Sequence, residues 1–143
     1  MIKVGDYELI EDLYYWPHGL TWAKPESDGR VRVGMTDLAI KIAGKIRFMR
    51  IKSKSTSIDK GKGLAILETG KWVGPVESPV SGTIDEVNTS IRRNLKVLKE
   101  DPYGEGWVAV LQPSNPQELQ SLIHGEGVVE WYQKEIETRV QKK

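Results

Sequence analysis

The sequence predicts a mainly β fold, a quasi-symmetric sandwich of short strands with one short helix and a pair of C-terminal helices. Three observations lead there. The 14 glycines and 7 prolines cut the chain into short pieces, which favours many strands over long helices. Several of those pieces alternate with period two, as in "RVRVGM" (30–35) and "GKIRFMRI" (44–51). An internal echo then relates two parts of the chain: Gly44-Lys45-Ile46 opens one strand and Gly82-Thr83-Ile84 opens another 38 residues later. Each copy continues into a glycine turn and an apolar strand, "IDKGKGLAILE" in the first and "PYGEGWVAVLQ" in the second. A duplicated half-unit places the linking segment, 68–81, at one end of the molecule.

In chain order, "RVRVGM" reads as a strand and "TDLAIKIAG" (36–44) as a short helix. Thr36 caps that helix, Asp37 suits its first turn and Gly44 ends it. "GKIRFMRI" is the next strand, "GLAILE" (63–68) a buried one, and "GTIDEVN" a strand leaving Gly82. "NTSIRRNLKVLKED" (88–101) holds a helical turn or two, with Ile91, Leu95 and Leu98 at helical spacing, and "GWVAVLQP" is a strand ending at Pro113. In "SNPQELQSLI", Asn115 is a cap, Pro116 takes the first helical position, and Leu119, Leu122 and Ile123 share a face. After a break at 125–127, Val128, Val129, Tyr132, Ile136 and Val140 define a second amphipathic helix. Both helices are expected across one end of the β-core. The whole chain, 1–143, reads as one domain with a core of about 14–113 and a helical segment of about 114–140.

Composition removes several classes of function. Lys and Arg number 21 against 20 Asp and Glu, a net charge of +1, which gives no reason to expect nucleic acid or a membrane surface as partner. The basic run "KIRFMRIKSKS" (45–55) reads as a solvated strand face rather than a phosphate-binding stripe. No cysteine is present, so disulfides, thiolate metal sites and thiol nucleophiles are excluded. The two histidines, His18 and His124, lack companions at metal-ligand spacing, and no metal site is expected. With no spanning apolar run and no signal core in "MIKVGDYELIEDL", a cytoplasmic protein is expected. "PVSGTI" lacks the first glycine of a nucleophile elbow, and so few histidines argue against base-activated nucleophilic catalysis. "GKGLAILETGK" fails as a phosphate loop, with Ala65 and Trp72 where a glycine and a hydroxyl residue are required.

What remains is "LETGKWVGP" (67–75). Gly70 can adopt positive φ, so "ETGK" can form a tight turn that projects the Lys71 amine into water. A Schiff-base lysine needs an apolar pocket, whereas a lysine at a turn tip suits covalent modification or is simply solvated.

Around this lysine the sequence resembles the glycine cleavage system H-protein family and, more broadly, lipoyl-carrier domains. "IDKGKGLAILETGKW" is similar to the family's glycine turn, apolar strand and E-S-x-K or E-T-D-K hairpin. "PVSGTIDEVN" (79–88) resembles its P-V-S-G-x-x-x-x-x-N, "VRVGMTDLA" (31–39) its V-x-V-G-I-T-D-x-A, and "EDPYGEGWVAVLQPSNPQELQSLI" (100–123) its C-terminal half. Together these matches run from about residue 14 to about residue 135 in family order.

The resemblance implies a barrel-sandwich hybrid of two quasi-equivalent halves and lipoate carried covalently on Lys71. Glu68, Thr69, Gly70 and Trp72 are then its recognition context, and Gly82 shapes the opposite turn. It implies a non-catalytic, monomeric carrier modified by a lipoyl ligase or transferase. Its partners are glycine decarboxylase, aminomethyltransferase and dihydrolipoyl dehydrogenase. Lipoate is preferred to biotin, whose lysine is flanked by methionines.

This chain also departs from the family. It reads Glu68-Thr69-Gly70-Lys71-Trp72 where E-S-V-K-A is frequent, and Ile40, Ala43 and Lys45 replace Gln, Leu and Asp in the helix motif. The family's H-E-W near the start becomes "WPHGLTW". Trp72 is left either to pack on its own hairpin or to meet a partner and shield the arm. These departures leave open sulfur carriage beside a heterodisulfide-reductase-like complex, and a non-lipoylated interaction module.

Overall fold

The computed structural model describes residues 1–141. Its largest sheet has six antiparallel strands in the order β3-β4-β5-β11-β10-β7. These are β3 (Tyr14–Trp16), β4 (Thr21–Pro25), β5 (Val31–Met35), β7 (Ser57–Ile58), β10 (Gly82–Val87) and β11 (Ala109–Pro113). A second sheet orders β6 (Ile46–Ile51), β8 (Gly63–Thr69) and β9 (Val73–Glu77), and β1 (Ile2–Val4) with β2 (Tyr7–Leu9) forms an N-terminal hairpin. The fold is the expected mainly β barrel-sandwich hybrid, with Leu38, Leu64, Leu67, Ile84 and Leu111 fully buried in the core.

The internal echo is visible in the strand pairing. β6 pairs with β8 and β10 with β11, both antiparallel, and each ladder slips once. The slip passes over Arg47 in β6 and Asp85 in β10, which stand 38 residues apart, the same separation as Gly44 and Gly82. A bulge bends its strand and increases the local twist. In β8, a further slip at Leu64 lets Leu64 and the adjacent Ala65 both face inward, while Ile66 and Glu68 stay outside.

Helix α1 (Asp37–Ala43) links β5 to β6 and forms as its capping signals predict. Thr36 has extended backbone, its Oγ1 accepts from the Ala39 amide at 3.1 Å, and Gly44 follows at φ 80°. Two more first-turn amides are satisfied by tyrosines: Asp37 N–H donates to Tyr103 Oη at 3.1 Å and Leu38 N–H to Tyr132 Oη at 3.0 Å. Both hydroxyls donate onward to the Glu8 carbonyl, at 2.7 and 2.9 Å, and the Glu8 amide donates to Asp37 Oδ2 at 2.8 Å. One cluster therefore ties the N-terminal hairpin, α1, the 102–106 turn and helix α4 (Val128–Ile136) together.

That turn explains the glycines of "PYGEGW" (102–107). The Gly104 and Gly106 amides both donate to the Asp101 carbonyl, at 3.2 and 2.8 Å, and a Cβ on Gly104 would lie 2.5 Å from Asp101 Oδ2. The buried Trp22 indole donates to the Pro102 and Met35 carbonyls, both at 3.1 Å, and needs Gly34 beneath it, where a Cβ would come within 2.5 Å of the ring. Asn88, 4% exposed, donates to the Glu105 and Trp107 carbonyls, which accounts for the asparagine that closes "PVSGTIDEVN".

Several expectations change in detail. Pro116–Ser121 is a 3-10 helix rather than an α-helix, with Asn115 Oδ1 accepting from Gln117 N–H at 3.2 Å as its cap. The Glu118 carboxylate is drawn to Ser81, accepting from its amide at 2.8 Å and its hydroxyl at 3.1 Å, which favours the tighter winding. Beyond α4 the chain widens into a π turn over Glu137–Gln141, so Val140 leaves the buried face. The helical turns after β10 are α2 (Ser90–Arg93) and α3 (Lys96–Glu100), with Ile91 and Leu98 buried. No described helix is long and apolar enough to cross a membrane.

Burial pushes the Tyr132 hydroxyl from 10.0 up to about 12, and Tyr103 is raised by the same cause with Tyr132 as its neighbour. The folded state thus keeps a proton that the unfolded chain releases. Stability should be full below about pH 10 and fall as the pH rises from about 10 to 12, measured by urea unfolding. Tyr132→Phe and Tyr103→Phe should each cost about 1–3 kcal/mol. The double variant should depart from additivity by at least about 0.5 kcal/mol, because both hydroxyls share the Glu8 carbonyl.

Candidate functional site

The hairpin between β8 and β9 carries Lys71 at its tip. Thr69, 6% exposed, closes the turn: its amide donates to the Trp72 carbonyl at 2.8 Å, and its Oγ1 accepts from the Lys71 amide at 3.3 Å. Gly70 does not use positive φ, contrary to expectation. The threonine clasp makes the turn instead, and Gly70 provides room, since a Cβ there would lie 3.3 Å from Arg47 Nη2. Lys71 is exposed, and among the described residues its ammonium takes no hydrogen bond or ion pair.

Its neighbours occupy different positions. Trp72 is 49% exposed, and its indole lies over Gly74, where a Cβ would come within 2.3 Å of the ring. Packing on its own hairpin is thus the arrangement found, with about half of the side chain left exposed. Glu68 sits on the outer face of β8, flanked across the ladders by Phe48 and Val73, all three exposed. Gly82 is not beside this turn. It begins β10, buried between β7 and β11, and a Cβ there would lie 2.4 Å from the Gln112 carbonyl oxygen. Its role is close backbone packing rather than the shaping of an opposite turn.

Beside Lys71 and Trp72 opens a cleft of about 440 Å³, walled by α1 through Ala39 and Ile42 and by Leu67 and Val76. Its polar end is built around Glu77, whose Oε1 accepts from Trp16 Nε1 at 2.8 Å and lies 2.7 Å from His18 Nδ1. Gly19 makes room for this carboxylate, since a Cβ there would meet it at about 3 Å. Arg139 closes the same end, pairing with Glu135 at 2.7 Å and donating to the Pro17 carbonyl at 3.1 Å.

The sequence reading singled out His18 but missed Glu77, Trp16 and Arg139. They meet only through contacts spanning about 60 to 120 residues, which no local pattern displays. Among the described residues, no cluster of three His, Asp or Glu side chains is arranged to hold a metal.

A two-part β core with a lysine on a hairpin tip beside an apolar cleft has the form of a barrel-sandwich domain. Residues 13–135 match the family model described as glycine cleavage H-protein, and the chain belongs to that family. It is 42% identical over 132 residues to a probable glycine cleavage system H protein 2 of Saccharolobus solfataricus, covering 91% of this chain and 89% of the relative. Identity is also 42% over 139 residues to a glycine cleavage system H protein 2 of Aquifex aeolicus, covering 94% and 86%. The crystal structure of a glycine cleavage system H protein from Mycobacterium marinum superposes with a TM-score of 0.68 at 30% identity, covering 74% of this chain and 87% of that one.

Gly70 and Gly82 should separate cleanly by urea unfolding. Gly82→Ala should cost about 2–3 kcal/mol because a backbone carbonyl must move. Gly70→Ala should stay within about 0.5 kcal/mol because only a mobile guanidinium is displaced. Thr69→Val should cost about 1 kcal/mol through loss of the clasp.

Proposed function

We propose that residues 1–143 act as one lipoyl-carrier unit with Lys71 as the attachment site, serving glycine cleavage as a non-catalytic shuttle. The observation that carries this reading is the exposed, unpaired Lys71 ammonium on a clasped turn, opening beside a cleft with one carboxylate at its polar end. Lipoate on Lys71 supplies a reducible disulfide on a long tether. The chain supplies the rest. Thr69 fixes the tether's base, and Trp72 with the α1 wall offers apolar cover. Glu77 offers a negative charge that attracts a cationic amine, which suits an aminomethyl cargo.

Glycine decarboxylase, aminomethyltransferase and dihydrolipoyl dehydrogenase are the partners in this reading, and a lipoyl ligase or transferase installs the arm. Tethering turns successive encounters into local delivery of one bound group. A second reading is carriage of sulfur beside a heterodisulfide-reductase-like complex. It is favoured by the departure at Trp72, half exposed beside Lys71 where the family frequently has alanine.

Intact mass after co-expression with a lipoyl ligase should show one lipoyl addition, lost in Lys71→Arg. The lipoylated chain should support glycine-dependent carbon transfer with the decarboxylase and aminomethyltransferase, and Glu77→Gln should slow it about tenfold without reducing lipoylation. Lipoylation with no glycine-dependent transfer, together with sulfur bound through the dithiol, would establish the second reading. No lipoylation by any ligase or transferase system would leave the interaction module.

A further inference from the structure

Charge is nearly balanced over the whole chain but not over its surface. Segments 38–58 and 88–99 hold ten of the 21 basic residues and none of the 20 acidic ones. The fold brings the two segments together, because α1 packs on α3 and α2 on β6. Between α1 and α3 lies a cleft of about 560 Å³ with Ile40, Ile46 and Leu95 along it and Lys45, Lys96 and Lys99 at its rim. Of the ten cations, only Lys41 forms an ion pair among the described residues, with Asp37 at 3.1 Å. A surface selected for solubility alone mixes both signs, since clustered like charges repel one another.

This face is continuous with the arm. Lys45 directly precedes β6, whose Ile46 pairs with Thr69 at the base of the Lys71 turn, and the Arg47 guanidinium reaches Gly70. Two of the departures noted in the sequence, Ile40 and Lys45, line this cleft, the first a buried aliphatic residue and the second an exposed positive charge. An aliphatic cleft offers no aromatic platform for stacking bases. Its aliphatic lining suits apolar atoms of another protein.

Building on the carrier reading, we propose that this basic face is the docking surface for the enzyme whose active site the arm enters. That enzyme's entrance is rimmed by carboxylates and inserts an apolar side chain between α1 and α3. Complementary charge speeds encounter and aligns the turn with the entrance, while the cleft fixes the register.

The test uses the lipoylated full-length chain as substrate for glycine decarboxylase and, in parallel, for the heterodisulfide-reductase-like complex, both from the same source. With the enzyme that accepts it, Lys45→Glu/Lys96→Glu/Lys99→Glu should raise KM for the carrier at least about tenfold with kcat at saturation unchanged. Lys24→Glu/Lys62→Glu/Lys134→Glu, away from this face, should change KM less than about twofold. Raising salt from roughly 50 to 300 mM should raise KM for the native chain and have little effect on the first variant.

The milder Lys→Gln triple and the salt series on the native chain keep the test valid if the reversal impairs folding. A KM indifferent to both charge and salt overturns the proposal while leaving the carrier reading intact. Acceptance by neither enzyme overturns both. Loss in the same variants of tight binding to a single-stranded RNA, with KM unaltered, would assign the face to nucleic acid instead.

Discussion

The first turn of α1 is the constraint on which the rest of the molecule depends. A helix end buried among other elements must have its free amides satisfied, and here Thr36, Tyr103 and Tyr132 do so. The two tyrosines come from segments 66 and 94 residues away in the chain, and both also secure the Glu8 carbonyl of the N-terminal hairpin. Satisfying one helix therefore sets the position of both ends of the described chain. It also sets the wall of the cleft beside Lys71, because Ala39 and Ile42 belong to that helix.

Placed this way, α1 divides the surface into two clefts with different chemistry. On one side, Ala39 and Ile42 face a cleft that runs from Lys71 to Glu77, with His18 and Arg139 at its polar end. On the other, Ile40 and Lys41 face a cleft whose rim carries only positive charge. Successive residues of a helix point about 100° apart, so seven residues suffice to furnish both. A substitution in α1 therefore acts on one cleft or the other according to its phase.

What could be read from the sequence follows the range of the interactions. The α1 cap and the Lys71 turn rest on contacts within a few residues, and the strands around Met49, Leu67 and Ile84 carry their pattern in their own residues, so local pattern disclosed them. The echo of Gly44 and Gly82 disclosed the quasi-symmetric plan because duplication writes itself along the chain. The N-terminal hairpin and β3 escaped notice because three-residue strands carry too little periodicity. Glu77 was illegible for a different reason: an acidic residue at a strand end looks solvated until Trp16 and His18 are folded onto it. Gly70 misled because glycine is compatible with both a left-handed turn and a tight contact, and only the position of Arg47 distinguishes them.

The paired bulges at Arg47 and Asp85 have a consequence for valency. After its bulge, the ladder of β6 with β8 ends at Ile46 opposite Thr69, and the chain then turns outward. In the other half, Asp85 is held by Arg30 at 2.8 Å, and the ladder runs on past Ile84 opposite Leu111 until Gly82 meets Pro113. The residue that corresponds to Lys71 by this register is Pro113, paired with Gly82 at the end of β11 and without a side-chain amine. Two halves built on one plan thus yield, among the described residues, one displayed lysine turn of this kind, and under the proposed carrier reading no second arm competes for the same entrance.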